Sequence, residues 1–82
     1  MKDERKTMRP IYEIAGDIRS DWTKVSPYAL PYLEAMEELH SVEDRYLFDS
    51  ARSVINYFLA NAASWKGDTA REIKKELKGM VA

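Results

Sequence analysis

The sequence predicts an all-α fold: a small single-domain bundle of about four helices packed around a central charge-free helix at about residues 49–65. Three observations predict it. Every long segment carries apolar residues at helical spacing. No run alternates apolar and polar residues as a strand would, and no internal repeat is present. Ser53 to Trp65 runs thirteen residues without a charged side chain, in a chain that is 33% charged.

That charge-free stretch lies in DSARSVINYFLANAASW, Asp49 to Trp65. At about 100° per residue, Ala51, Val54, Ile55, Phe58, Ala62 and Trp65 share one face, with Leu59 at its edge. This face is the expected core. The opposite face, Ser53, Asn56, Ala60, Ala63 and Ser64, is small and uncharged, so a second layer is expected to approach it closely.

The other elements follow in order. Residues 1–8 read as a flexible charged arm, and residues 9–82 as the single helical domain. Pro10 suits a helix first turn, and Ile11, Ile14, Ala15, Ile18 and Trp22 follow at helical spacing, giving a first helix at about 10–22. Its other side shows Glu13, Asp17 and Asp21 at four-residue steps, a row that reads as a solvated face. Ser26 and Pro27 look like a cap and a first helical residue for a second helix through Leu39. Pro31 lacks a donor that a helix begun at Pro27 would use, so either the first turn is irregular or the helix proper starts near Pro31. Tyr32, Leu33, Met36 and Leu39 form its apolar stripe, and Glu34, Glu37 and Glu38 its acidic exterior.

Ser41 with Asp44 resembles a capping box, predicting a short helical segment over 42–48. Asp49 either caps a new helix or lies within a continuous one. After Trp65, Lys66 and Gly67 are expected to end the central helix, and Asp68 to cap a last helix at about 69–80. The buried stripe of that helix is Ala70, Ile73, Leu77 and Val81.

Composition narrows the function classes. Eighty-two residues hold one core, and 45% hydrophobic content is globular. There is no Cys and one His, so disulfides, Cys-His nucleophile pairs and multi-histidine metal sites are excluded. Only three Gly are present, and none forms a phosphate loop. Glu37 and His40 make one Glu-x-x-His, whereas a di-iron bundle uses two copies and further Glu. No enzyme activity, cofactor or metal is therefore expected. The apolar run is too short to span a bilayer, which takes about 20 residues, and the first residues carry no secretory signal, so a cytoplasmic location is expected and no membrane partner.

Net charge is −1, but it is unevenly placed. Residues 25–50 carry one basic and six acidic groups, and residues 51–82 six basic and three acidic. On the last helix Arg71, Lys74, Lys75 and Lys78 fall on one arc, the candidate nucleic-acid stripe, diluted by Glu72 and Glu76. Nine aromatics exceed what one small core hides. A surplus of exposed Tyr and Trp suits a protein-binding face, and Tyr57 with Ser53, Ala60 and Ser64 is the candidate patch.

The phrases IYEIAGDIRSDW at 11–22, PYLEAM at 31–36, YFLANAASWKG at 57–67 and REIKKELK at 71–78 resemble a family of small helical proteins encoded by bacteriophages and mobile elements of Gram-positive and mycobacterial hosts. The similarity covers about residues 11–77. A Gly commonly stands in that family where this chain has Leu47, which implies a more helical corner before Asp49 here. The resemblance supplies no catalytic residue or ligand. It implies context: a phage-type accessory protein in a bacterial host cell, of a size at which phage genes often encode binders of host proteins, host-defence and replication factors among them. The expected function is thus a non-enzymatic protein–protein interaction, by self-association (a homodimer) or with a host protein. The alternative is nucleic-acid binding through Arg71, Lys74, Lys75 and Lys78.

Overall fold

The computed structural model describes residues 9–82, so the charged arm expected over 1–8 lies outside the described residues. Four helices follow in order: α1 Ile11–Asp21, α2 Leu30–Met36, α3 Ala51–Ala60 and α4 Asp68–Val81. Between α2 and α3 lies a two-stranded antiparallel ribbon, β1 Arg45–Tyr46 and β2 Asp49–Ser50, in register Arg45 to Ser50 and Tyr46 to Asp49. The structure is 57% helical, which sets its class as mostly helical. No helix among the described residues is long and apolar enough to cross a membrane.

Helix α1 opens on Pro10, whose extended backbone leads into the first turn. The first two donors of a helix have no intrahelical partner. Here Ile11 N–H donates to the His40 carbonyl and Tyr12 N–H to that of Leu39, both at 2.9 Å. The segment after α2 is thereby stitched to the start of α1. At α2 the helix proper begins at Leu30, the later of the two expected starts. Pro31 sits at its second position, where no N–H is needed. Residues 27–29 form a turn instead, with the Ser26 carbonyl accepting from Ala29 and Leu30 and its hydroxyl from Tyr28 N–H.

The short helix expected over 42–48 is corrected to a turn and the ribbon. Asp44 makes the reach-back bond to Ser41 N–H that a capping box uses, but no helix follows it. Its carboxylate accepts from the backbone N–H groups of His40 and Ser41, at 2.8 and 3.1 Å, and its carbonyl accepts from Ala51 N–H. These bonds fold the chain back, and the reversal is completed by Leu47 and Phe48. Leu47 takes φ +57°, the left-handed region that favours glycine at the first position of a tight hairpin turn. The helical corner implied at this position is therefore replaced by a turn.

Ser50, rather than Asp49, caps α3, its hydroxyl accepting from Ser53 N–H at 3.1 Å. The helix stops at Ala60, five residues before the expected end at Trp65. Asn61 closes it by donating its side-chain amide to the Tyr57 carbonyl at 2.8 Å. Gly67 takes φ +114° and caps α4 without a side-chain bond, so Asp68 is the first helical residue and not the cap.

The core matches the expected apolar stripes closely. Ile11, Ile14, Ala15, Ile18 and Trp22 from α1 are buried, as are Leu33, Met36 and Leu39 from α2 and its extension. Ala51, Val54, Ile55, Phe58, Ala62 and Trp65 are buried too, although the last two are delivered by turns after α3. On α4 the stripe is Ala70, Ile73, Leu77 and Met80, with Val81 only half-buried. Among the described residues no polar or charged side chain is buried. The helices pair as α1 on α2, α2 on α3, α3 on α4 and α4 on α1. The layer expected over the outer face of α3 is not supplied by the described residues: Asn56, Ala60, Ala63 and Ser64 are exposed and Ser53 is half-buried.

Candidate functional site

Three surfaces carry the side chains that the sequence singles out. The first is the outer face of α3. Tyr57 is 51% exposed, and its ring meets that of Tyr32 on α2 at 5.4 Å between centroids. Tyr28, four residues before Tyr32, is 76% exposed. Ser53, Tyr57 and Ala60 stand on α3 as their spacing requires, with Ser53 Oγ hydrogen-bonded to Ser50 Oγ at 3.1 Å. Ser64 does not: α3 ends at Ala60, so helical spacing no longer relates Ser64 to Tyr57, and it is exposed in the turn at 63–64. Tyr32 is a part of this surface that helical spacing assigned to the core stripe. Pro31 was the signal for Tyr28, because a late helix start leaves Tyr28 in an exposed turn while Ala29 stays buried.

The second surface is α4. Arg71, Lys75 and Lys78 are exposed, but Arg71 is paired with Asp68 one turn earlier. Lys74 leaves the stripe. Its Nζ donates to the Trp65 carbonyl at 2.7 Å and lies 5.8 Å from the centre of the Trp65 indole. Desolvation there, and then the positive charges of Lys78 and Lys66, push its pKa below the ordinary lysine value. Lys74 thus acts as a clamp on the turn after α3, and the structure does not bring the four expected residues together as one basic face. A cleft of about 360 Å³ beside it is lined by Lys66, Gly67, Arg71 and Lys74.

The third surface is the cleft between α1 and α4, about 580 Å³, lined by Arg9, Asp17, Asp21, Glu72 and Glu76 among others. The acidic row of α1 does more than face water. Arg9 forks onto Glu76, with Nε to Oε2 at 3.1 Å and Nη2 to Oε1 at 2.9 Å, and its third nitrogen bonds Asp17. Hydrogen bonds to Glu76 first and Asp17 second raise its pKa further above the ordinary arginine value, so it is a fixed cation between two helices. Asp21 accepts from the Trp65 indole N–H at 2.8 Å. Spacing already held the clue to Arg9, since Glu13 and Asp17 lie four and eight residues on.

Glu37 and His40 do not converge. Glu37 pairs with Arg19 on α1, whose pKa that hydrogen bond raises, while the His40 ring packs against Tyr12 at 5.7 Å. No group of three or more His, Asp or Glu among the described residues is placed to hold a metal.

One feature the sequence did not mark as a site is the tip of the β1–β2 hairpin. Leu47 and Phe48 are 79% and 94% exposed. Comparison with protein-family models, with curated proteins and with solved structures finds no match to this chain.

Proposed function

We propose that this chain is a small non-enzymatic accessory protein of phage type that acts by protein–protein interaction, on itself or on a host-defence or replication factor, in the cytoplasm of a bacterial host. In this reading α3 is the helix around which the others are organised, and a partner covers the outer face that no described helix covers. The observation that carries it is the tyrosine surface. Tyr57 is half-exposed and packs on the partly buried Tyr32, beside the small uncharged side chains Ser53 and Ala60. Aromatic side chains with a polar tip, set among small neighbours, are the residues that anchor protein interfaces. Nearly all of the large apolar side chains on α3 already face the core, so Tyr57 is not needed there.

The test is affinity capture from a bacterial host lysate with the wild-type chain and with Tyr57→Ala side by side. A partner held by the first and lost by the second is the expected result. No capture by either, together with unchanged host growth on expression, refutes the reading.

Nucleic-acid binding remains the alternative, and exposed Lys75 and Lys78 support it. With Lys74 turned to Trp65 and Arg71 paired, two free cations would give a log–log salt slope of only about 2 on duplex DNA. An anisotropy titration at low salt decides it: no binding removes the alternative.

A further inference from the structure

We propose that Lys74 is a site of covalent acylation by small acyl phosphates, taken up in the cleft that Lys66, Arg71 and Lys74 line where the turn after α3 meets α4. The proposal concerns a modification of this chain and goes beyond the Tyr57 surface, on which it does not depend.

The helix isolates Lys74 from negative charge. Ala70, Arg71, Leu77 and Lys78 stand three and four residues to either side of it, so no carboxylate occupies the positions that meet a helical side chain. Glu72 and Glu76, two residues away, line the cleft against α1 instead, where Arg9 takes Glu76. The charges that act on Lys74 are those of Lys78 and Lys66, both positive.

The nitrogen is also fixed in place. Nζ donates to the Trp65 carbonyl at 2.7 Å and lies against the Trp65 indole, so the half-buried side chain does not sweep through water as a surface lysine does. A neutral amine held by one N–H keeps its lone pair and a second N–H for the cleft. Desolvation, and then the neighbouring lysines, hold Lys74 below the ordinary lysine pKa, so more of it is neutral amine at neutral pH than of a solvated lysine. The neutral amine is the nucleophile, and desolvation beside other cations is the setting that activates one.

The walls of the cleft, about 360 Å³, select the acyl donor. Lys66 and Arg71 present cations, and Ala63 and Ala70 give an apolar side. Arg71 gives one nitrogen to Asp68, and its five-donor fork keeps further N–H groups. A phosphate dianion meets the two cations, and a short acyl group meets the alanines. In the step itself Lys74 loses a proton to solvent, and the Nζ lone pair attacks the acyl carbon. The bond from that carbon to the phosphate oxygen breaks, leaving its electron pair on phosphate. The amine proton passes to the departing group, which leaves as hydrogen phosphate, and an N-acyl-lysine remains. Lys66 and Arg71 stabilise the charge that collects on the leaving phosphate. Acylation removes one positive charge from α4 and takes the cation from the Trp65 indole.

Acetyl phosphate is the probe. The full chain is incubated with it at neutral pH, and acetylation is followed at each lysine by peptide mass spectrometry. A cleft lined by one sign of charge concentrates its counter-ion about tenfold or more, so Lys74 is expected to react about tenfold faster than Lys75 and Lys78, which are exposed on the same helix. Inorganic phosphate in the mixture is expected to slow Lys74 alone. Lys66→Gln and Arg71→Gln, both at exposed positions, are expected to bring the Lys74 rate toward that of Lys75 with an unchanged far-ultraviolet spectrum. The N-hydroxysuccinimide ester of acetic acid, a donor without phosphate, is expected to show a smaller preference for Lys74. Equal rates at Lys74, Lys75 and Lys78 overturn the proposal. A Lys74 preference that inorganic phosphate and both substitutions leave unchanged also overturns it, because the cleft then supplies a reactive amine and no place for the phosphate.

Discussion

Phe58→Ala is the perturbation whose magnitude follows most directly from the structure. The Phe58 ring is fully buried and lies edge-on to both tryptophans of the chain, 6.2 Å from Trp22 and 6.3 Å from Trp65. Those two indoles stack with planes 7° apart at 5.6 Å, so Phe58 props a three-ring cluster that joins the end of α1, α3 and the turn before α4. Phe→Ala in a core costs about 3–5 kcal/mol. Two edge-to-face contacts, each adding about 0.5–1.5 kcal/mol beyond area, place this site in the upper half of that range. A domain of this length has a stability of about 4–12 kcal/mol, so the variant is largely unfolded if the wild type lies at the low end. With a urea slope of about 1 kcal/mol/M for so small a chain, the midpoint falls by about 4–5 M. Far-ultraviolet circular dichroism gives the midpoint, and near-ultraviolet dichroism of the tryptophan pair reports the cluster directly. A loss under about 0.5 kcal/mol with the tryptophan signal intact would refute the claim that this cluster holds the core.

Two further predictions concern the hairpin. Leu47→Gly is expected to stabilise the monomer by about 0.5–1 kcal/mol, because relief of the left-handed penalty exceeds the added chain entropy of Gly. Leu47→Ala, which keeps a Cβ, gives no such gain, and a urea series that ranks Gly below Leu refutes the strained turn. Backbone N–H bonds from His40 and then Ser41 hold the Asp44 carboxyl below the usual aspartate range. A carboxylate whose folded pKa is depressed contributes stability that is present above its unfolded pKa, about 4, and is lost as pH falls through the folded value. Carbon-13 titration of the Asp44 carboxyl is expected to show a midpoint below that of a free aspartate. Asp44→Asn abolishes that titration, and a midpoint at or above the free value contradicts the turn geometry.

The helical class, the number of helices and nearly every core residue were legible in the sequence, because apolar spacing near 3.6 is a local property of each segment. Ile11 to Trp22 and Ala51 to Phe58 show this directly: each stripe is buried residue for residue. Spacing failed where one side chain competes for the backbone. Asn61 takes the Tyr57 carbonyl and ends α3, so Ala62 and Trp65 reach the core from turns and Ser64 leaves the Tyr57 face. After Asp44 the chain reverses at Leu47, in the left-handed region, and pairs Arg45 with Ser50, so the predicted helix becomes a hairpin with Leu47 and Phe48 exposed at its tip.

Charge patterns were legible only as composition. The basic arc of α4 was visible on a wheel, but its loss of Lys74 depends on where the Trp65 carbonyl and indole come to rest, nine residues away. The acidic row of α1 was visible too. That it anchors Arg9 and Trp65 depends on α4 and the turn before it packing alongside α1, since Glu76 lies 67 residues from Arg9. The sequence by itself determined which faces are apolar, since that is set by side-chain spacing within one helix. Tertiary structure alone decided which polar groups pair and which aromatics stay in water, because hydrogen bonds of about 3 Å join residues that only the packed fold brings within reach.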